Sequence, residues 1–165
     1  MEFNMQHVNE KLIESFYRAF QRLDWQSMAE CYHPQVQFSD PVFISLNAQE
    51  VTDMWHMLCS KAQDFELTYS HIKADDTSGS ACWVVNYRFP RTGRLVNNII
   101  YAEFQFLDGK IVRHSDHFSF WHWSKSALGV SGLLLGWSGY LRRKVQQQAL
   151  IGLRAFTKKT NFRKD

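Results

Sequence analysis

Three side chains in this 165-residue chain have the type and spacing for acid–base chemistry: Asp40, His114 and Asp116. Asp40 ends the alternating run Val36-Gln37-Phe38-Ser39 and precedes Pro41, which has no N–H for a sheet ladder. Its carboxylate is therefore expected at a strand end, free of the ladder. At the rim of an apolar space, desolvation would raise its pKa and make it a better general base near neutrality. His114 and Asp116 stand two residues apart in a strand-like run, where a period of two puts them on one face with Val112, Phe118 and Phe120. Arg113, Ser115, His117 and Ser119 take the other face. A carboxylate beside an imidazole orients it and favours its cation, a usable acid–base pair. The same residues also fit roles without turnover, Asp40 as a turn residue and His114 with Asp116 as a pair that satisfies itself. Their spacing has no metal-ligand signature, so no metal or other cofactor is expected.

Trp83, Val85 and Tyr87 alternate onto one face of another strand-like run. An aromatic cup of this kind suits a flat or polycyclic molecule, and the same side chains would equally close a core.

Positioning these groups takes a sheet, which the sequence supplies after residue 62. Runs rich in Val, Ile, Tyr, Phe and Trp at 65–73, 81–89, 95–107 and 111–122 are separated by Asp75 to Gly79, Pro90 to Gly93 and Asp108-Gly109, all hairpin connections. The long runs either side of Asp108-Gly109 predict a large, curved antiparallel ribbon. Helices are predicted ahead of it. Val8, Leu12, Phe16, Phe20 and Leu23 form an amphipathic stripe; Trp25, Met28, Ala29 and Tyr32 give a short second helix stopped at His33-Pro34. Asn47 with Glu50 reads as the capping box of a third, whose apolar face is Val51, Met54, Trp55 and Leu58. Leu141, Val145, Ala149, Leu153 and Phe156 predict a terminal helix after a bent apolar connection from Gly129 to Gly139.

The length suits one domain with one core, and 15% aromatic residues argue for large side chains filling or lining an interior. The polar start Met1 to Gln6 has no basic and apolar segments of a signal peptide, and Leu128 to Trp137 is too short to span a bilayer, so a cytoplasmic protein is expected. Cys31, Cys59 and Cys82 read as reduced, small core residues. Charge is uneven: residues 1–124 hold 10 basic and 15 acidic side chains, residues 125–165 hold 9 basic and only Asp165 acidic. Such a tail fits a solvated helix face, an acidic partner or anionic lipid. Nucleic acid is not expected, because the cations lack interleaved stacking aromatics and a reader motif.

The order of helix, short helix, strand ending in Asp-Pro, helix and four long antiparallel strands resembles the SnoaL-like and ketosteroid-isomerase-like superfamily, which shares its fold with nuclear transport factor 2. Phe16 to Phe20 through Asp24, Tyr32-His33-Pro34, Phe38 to Pro41, Val51 to Trp55 and Phe106 to Val112 carry the likeness, over roughly residues 8–122. Trp123-Ser124, Ala127 to Gly129, Leu135 to Trp137 and Leu141 to Lys144 are similar to the tail of a bacterial subgroup. The resemblance implies an α+β cone in residues 1–123, a strongly curved antiparallel sheet with N-terminal helices covering its concave face. A basic, amphipathic C-terminal helical extension, 124–165, would pack on or near it. Asp40 takes the place of the isomerases' general base, and His114, Asp116 and Phe118 turn toward the pocket. Trp55, Trp83, Val85 and Tyr87 fall on its wall. Phe16 and Ala102 stand where the isomerases carry their two oxyanion donors, with Tyr17 beside Phe16, so steroid isomerisation by that route is not expected.

The expectation is a protein that binds a small hydrophobic ligand, with isomerase- or hydratase-type proton transfer by Asp40 and His114/Asp116. The competing readings are a non-enzymatic module pairing as a homodimer through a sheet face bearing Tyr101, Glu103 and Gln105, and docking of the basic tail to a partner or a membrane surface.

Overall fold

In β4 (Leu95–Leu107) strict alternation turns Val96, Asn98, Ile100, Ala102, Phe104 and Phe106 inward and leaves the other seven side chains exposed. The computed structural model describes residues 6–161; Met1 to Met5 and Phe162 to Asp165 lie outside the described residues. Around β4 the sheet is ordered β1-β5-β4-β3-β2, with β1 (Tyr32–Ser39), β2 (Glu66–Ala74), β3 (Ser78–Arg88) and β5 (Lys110–His117). Four strands are antiparallel, and β1 joins β5 in parallel at one edge, so the open, curved sheet is mixed. Pro34 sits inside β1, where the pairing breaks between Tyr32 and Gln37. An edge strand with a break spares proline the missing ladder bond.

Asp108 and Gly109 both have positive φ, 51° and 73°, the backbone of a tight two-residue hairpin that their types favour. Immediately after this turn the β4–β5 register shifts: Phe106 faces Ile111, and Gln105 faces Arg113. Val112 is the extra residue. Ile111 thus takes the inward position expected of Val112, and the strand changes phase so that His114 and Asp116 point inward as well. Without that bulge, alternation from Ile111 would bury Arg113 and Ser115 instead.

Helices α1 (Val8–Gln21), α2 (Trp25–Glu30) and α3 (Ala48–Lys61) cover the inward face. The buried stripe of α1 is Ile13, Phe16, Tyr17 and Phe20; Val8, expected in it, is 69% exposed. α3 starts at the expected capping box, with Asn47 Oδ1 accepting from the Glu50 N–H (3.0 Å) and Glu50 Oε2 from the Asn47 N–H (2.9 Å). Cys31 and Cys59 are buried and, like Cys82, free.

The last strand is shorter than the expected 111–122. It ends at His117, and Ser119 caps α4 (Phe120–Leu128) through its side chain. α5 (Val130–Leu135) and α6 (Gly139–Asn161) follow, so the connection from Gly129 to Gly139 contains a short helix. α6 packs on α3, where Thr157 Oγ1 donates to Asp53 Oδ2 (2.8 Å), and Gln146 Nε2 donates to the Pro41 carbonyl (3.0 Å). No helix among the described residues is long and apolar enough to cross a membrane.

At the α4–α5 corner Gly132 lies against the backbone of Ser124, and a Cβ there would collide with the Ser124 carbonyl. Gly132→Ala is expected to cost about 1–3 kcal/mol of stability. A lowered denaturation midpoint with the sheet's circular-dichroism signal retained checks this; an unchanged midpoint shows that the close approach is not made.

Candidate functional site

A cavity of about 410 Å³ opens between the sheet, α3 and the C-terminal helices. Phe20, Met54, Trp55, Phe65, Trp83, Val85, Ile100 and Phe118 form much of its wall with Ala149, and Trp123, Leu128 and Val145 close the side away from the main core. Polar groups on this wall are few: Asp40, Asp116, Tyr87, Asn98 and Gln148, with Lys61, Arg88 and Arg91 also lining it. A largely apolar hollow with a few convergent polar groups is the usual form of a small-molecule site.

Asp40 follows β1 directly and begins a turn. Its Oδ1 accepts from the N–H groups of Val42 (2.7 Å) and Phe43 (2.6 Å), and its own N–H donates to the Phe43 carbonyl (2.8 Å). One oxygen holds the turn. Oδ2 makes no hydrogen bond among the described residues. Burial pushes the Asp40 carboxyl up to about 7; the two turn N–H groups oppose the rise and the Asp116 carboxylate adds to it.

Asp116 reaches the cavity from β5 and is held from behind by a chain of side chains. Trp55 Nε1–H donates to Tyr32 Oη (3.0 Å), Tyr32 Oη lies 2.8 Å from His114 Nδ1, and His114 Nε2 lies 3.0 Å from Asp116 Oδ1. Trp83 Nε1–H reaches the same oxygen at 3.4 Å. An indole only donates and a carboxylate only accepts, so the chain begins at the Trp55 indole, runs through Tyr32 and His114, and ends with His114 Nε2–H donating to Asp116. His114 itself is buried beneath Phe16, Phe38 and Phe104 rings and does not line the cavity.

Tyr87 supplies a neutral donor. Its oxygen accepts from Trp123 Nε1–H (2.9 Å), which leaves the phenol proton for another acceptor. Burial pushes the Tyr87 phenol up, the Trp123 bond opposes this, and the Asp40 carboxylate adds to it. Asn98 is buried on β4 with no side-chain hydrogen bond among the described residues.

Of the residues picked out by sequence, the structure brings Asp40, Asp116, Trp55, Trp83, Val85, Tyr87 and Phe118 to one cavity. Phe16, Tyr17 and Ala102, expected on its wall, lie in the packed interior instead, because α1 sets both aromatic rings against the sheet rather than over the opening. Tyr17 Oη is fully buried without a hydrogen-bond partner among the described residues. Sequence reasoning missed Tyr32, Asn98 and Trp123. Asn98 carried a readable signal, a polar residue on the apolar face of a long alternating run. Tyr32 carried none, since its partner His114 is 82 residues away. Among the described residues no group of three or more His, Cys, Asp or Glu side chains is placed to hold a metal ion.

No curated protein matches the chain. Among solved structures it is similar to a Mycobacterium tuberculosis epoxide hydrolase of the LEH-like type (17% identity, TM-score 0.63, covering 78% of this chain and 96% of that one). It is also similar to TsrD from Streptomyces laurentii (18%, TM-score 0.64, covering 74% and 96%). A third likeness is to a putative polyketide cyclase from Xanthomonas campestris (19%, TM-score 0.59, covering 73% and 96%). At these identities the likeness speaks for the fold. The sequence pattern of the SnoaL-like domain matches residues 13–114, which contain every strand except the end of β5, and the chain belongs to that family.

Proposed function

We propose that the chain binds a small hydrophobic molecule carrying one oxygen function and moves a proton on it by general acid–base catalysis. The observation that carries this reading is Asp40: a carboxyl raised to about 7 on the wall of an apolar cavity, with one oxygen fixed by a turn and the other unbonded. Asp40 Oδ2 is the base, taking a proton from an activated carbon or from a water. Tyr87 Oη–H and the Asn98 amide face the same cavity as donors to the substrate oxygen, where negative charge develops. Asp116 is the second carboxyl at the site, and His114 positions it from behind. An isomerase returns the proton to another carbon; a hydrolase or hydratase delivers the water. The epoxide hydrolase and the polyketide cyclase that share this fold fit that range of chemistry.

The direct test is deuterium uptake from D2O into a panel of cyclic enones, read by mass spectrometry. Wild-type protein is expected to exchange α-hydrogens at a rate that rises through pH 7, and Asp40→Asn is expected to lose at least about 100-fold. Full exchange by Asp40→Asn removes Asp40 from the mechanism.

The same carboxyl makes a prediction about stability. Its folded value is raised from 3.8 to about 7, so its contribution is fully present below 3.8 and is lost as pH rises through 7. Asp40→Asn keeps an oxygen for the turn and cannot ionise. Its stability relative to wild type is expected to grow by roughly 2–4 kcal/mol between pH 4 and 8 in urea denaturation. A pH-independent difference means the carboxyl is not desolvated.

A second reading, pairing of two copies through the outer face of the sheet, is favoured by one observation: Leu95, Ile99, Tyr101 and Leu107 form an exposed apolar row along β4. Sedimentation is expected to show a homodimer that Ile99→Glu dissociates; a wild-type monomer at high concentration sinks this reading.

A further inference from the structure

From the geometry of α5 and the turn that follows it, we infer a docking surface for a bilayer rich in anionic lipid. A surface helix in a water-soluble domain normally turns its large apolar residues to the core. α5 does the reverse. Its buried residue is Gly132, fitted against the Ser124 backbone, while Val130, Leu133, Leu134 and Leu135 are exposed. Trp137 and Tyr140, directly after it, are 78% and 65% exposed. Trp137 Nε1–H already donates to the Leu134 carbonyl (2.8 Å), and Trp121 Nε1–H donates to the Leu133 carbonyl (3.3 Å), so indole groups hold the outward-facing turn in place. Leucines flanked by Trp and Tyr make a patch for the boundary between headgroups and acyl chains, where an amphipathic ring has both an apolar and a wet side.

Charge names the occupant. No Asp or Glu occurs between Asp116 and Asp165, and Arg142, Arg143 and Lys144 are exposed on the first turn of α6, next to the patch in sequence. Lys125 and Arg142 lie over the rings of Trp121 and Phe120, at 4.9 Å and 5.2 Å from the centroids, with their charges at the same end of the molecule. An apolar patch alone would suit a second copy or any greasy partner. An apolar patch bordered by cations and free of acids for 48 residues suits negative headgroups over apolar chains. No helix among the described residues is long and apolar enough to span, and the contact inferred is interfacial. Leu128 on the cavity wall is two residues from Val130, so the docked face adjoins the side of the cavity formed by α4 and α6. This inference is independent of any reaction at Asp40.

The test is co-sedimentation of the full chain with vesicles of phosphatidylcholine alone or mixed with phosphatidylglycerol. Binding is expected to the mixed vesicles, to weaken at least fivefold as salt rises to molar concentration, and to be negligible for phosphatidylcholine alone. Val130→Glu with Leu134→Glu, both at exposed positions, should lower binding at least tenfold while leaving the thermal midpoint unchanged. Arg143→Glu with Lys144→Glu should lower it without touching the apolar patch. The proposal is overturned by absence of binding to the mixed vesicles, by equal binding to both vesicle types, or by variants that bind like wild type. It is equally overturned if the patch variants abolish a dimer in solution and vesicle binding was never present.

Discussion

Burying a carboxylate among aromatic rings is the constraint on which the rest of this structure depends. Asp116 is almost fully buried, and an unpaired carboxylate there would cost several kcal/mol. Two donors converge on its Oδ1, one from His114 and one from Trp83, and His114 is completed by Tyr32 and Trp55. These groups come from β1, α3, β3 and β5, so the polar chain ties together four elements that the hydrophobic core alone would leave free to slide. Any shift of β5 by one residue would replace His114 and Asp116 with Arg113 and Ser115 on the inward face and break each bond that His114 and Asp116 make. The extra residue at Val112 sets that phase, which makes the β4–β5 bulge the feature that turns both side chains inward.

The two aspartates at the cavity are handled in opposite ways. Asp116 is anchored by strong side-chain donors, whereas Asp40 has only two turn amides on one oxygen to set against its burial. Pairing favours the charged form and burial disfavours it, and at Asp40 burial wins by a wide margin. Two carboxyls facing one apolar space with different support are what acid–base chemistry requires, since identical environments would give them identical roles. The turn bonds of Asp40 occupy one oxygen and leave the other without a hydrogen bond among the described residues, so the turn does not preclude the base role proposed for it.

Much of this was legible in the residues where the signal was local. Asn47 with Glu50 marked the start of α3, Asp108-Gly109 marked the hairpin, and the long alternation of β4 identified its inward face. What failed to show was set by distant contacts or by one-residue differences. Nothing in Ile111-Val112 says which of two apolar residues is the bulge. Phe118 to His122 reads as strand because aromatic residues favour sheets, whereas the Ser119 side chain caps α4 there. On α1, apolar residues surround much of the helix, so the stripe through Val8 and Leu12 competed with the one through Ile13 and Tyr17. Tertiary packing against β3 and β4 chose the second.

The C-terminal helices alter what the fold can hold. The family match ends at residue 114, yet Trp123, Leu128, Val145, Gln148, Ala149 and Gly152 lie on the cavity wall. Trp123 also orients Tyr87, and Gln146 bonds the carbonyl of Pro41, next to Asp40. The extension therefore touches Tyr87 and the residue that follows Asp40, as well as the hollow itself. In a cone-shaped domain the shared core supplies a curved sheet and an opening; the segment laid over that opening decides its depth, shape and donors. Residues that lie outside the matched span here complete part of the wall, which is one reason likeness of fold to a hydrolase or a cyclase does not carry over the ligand.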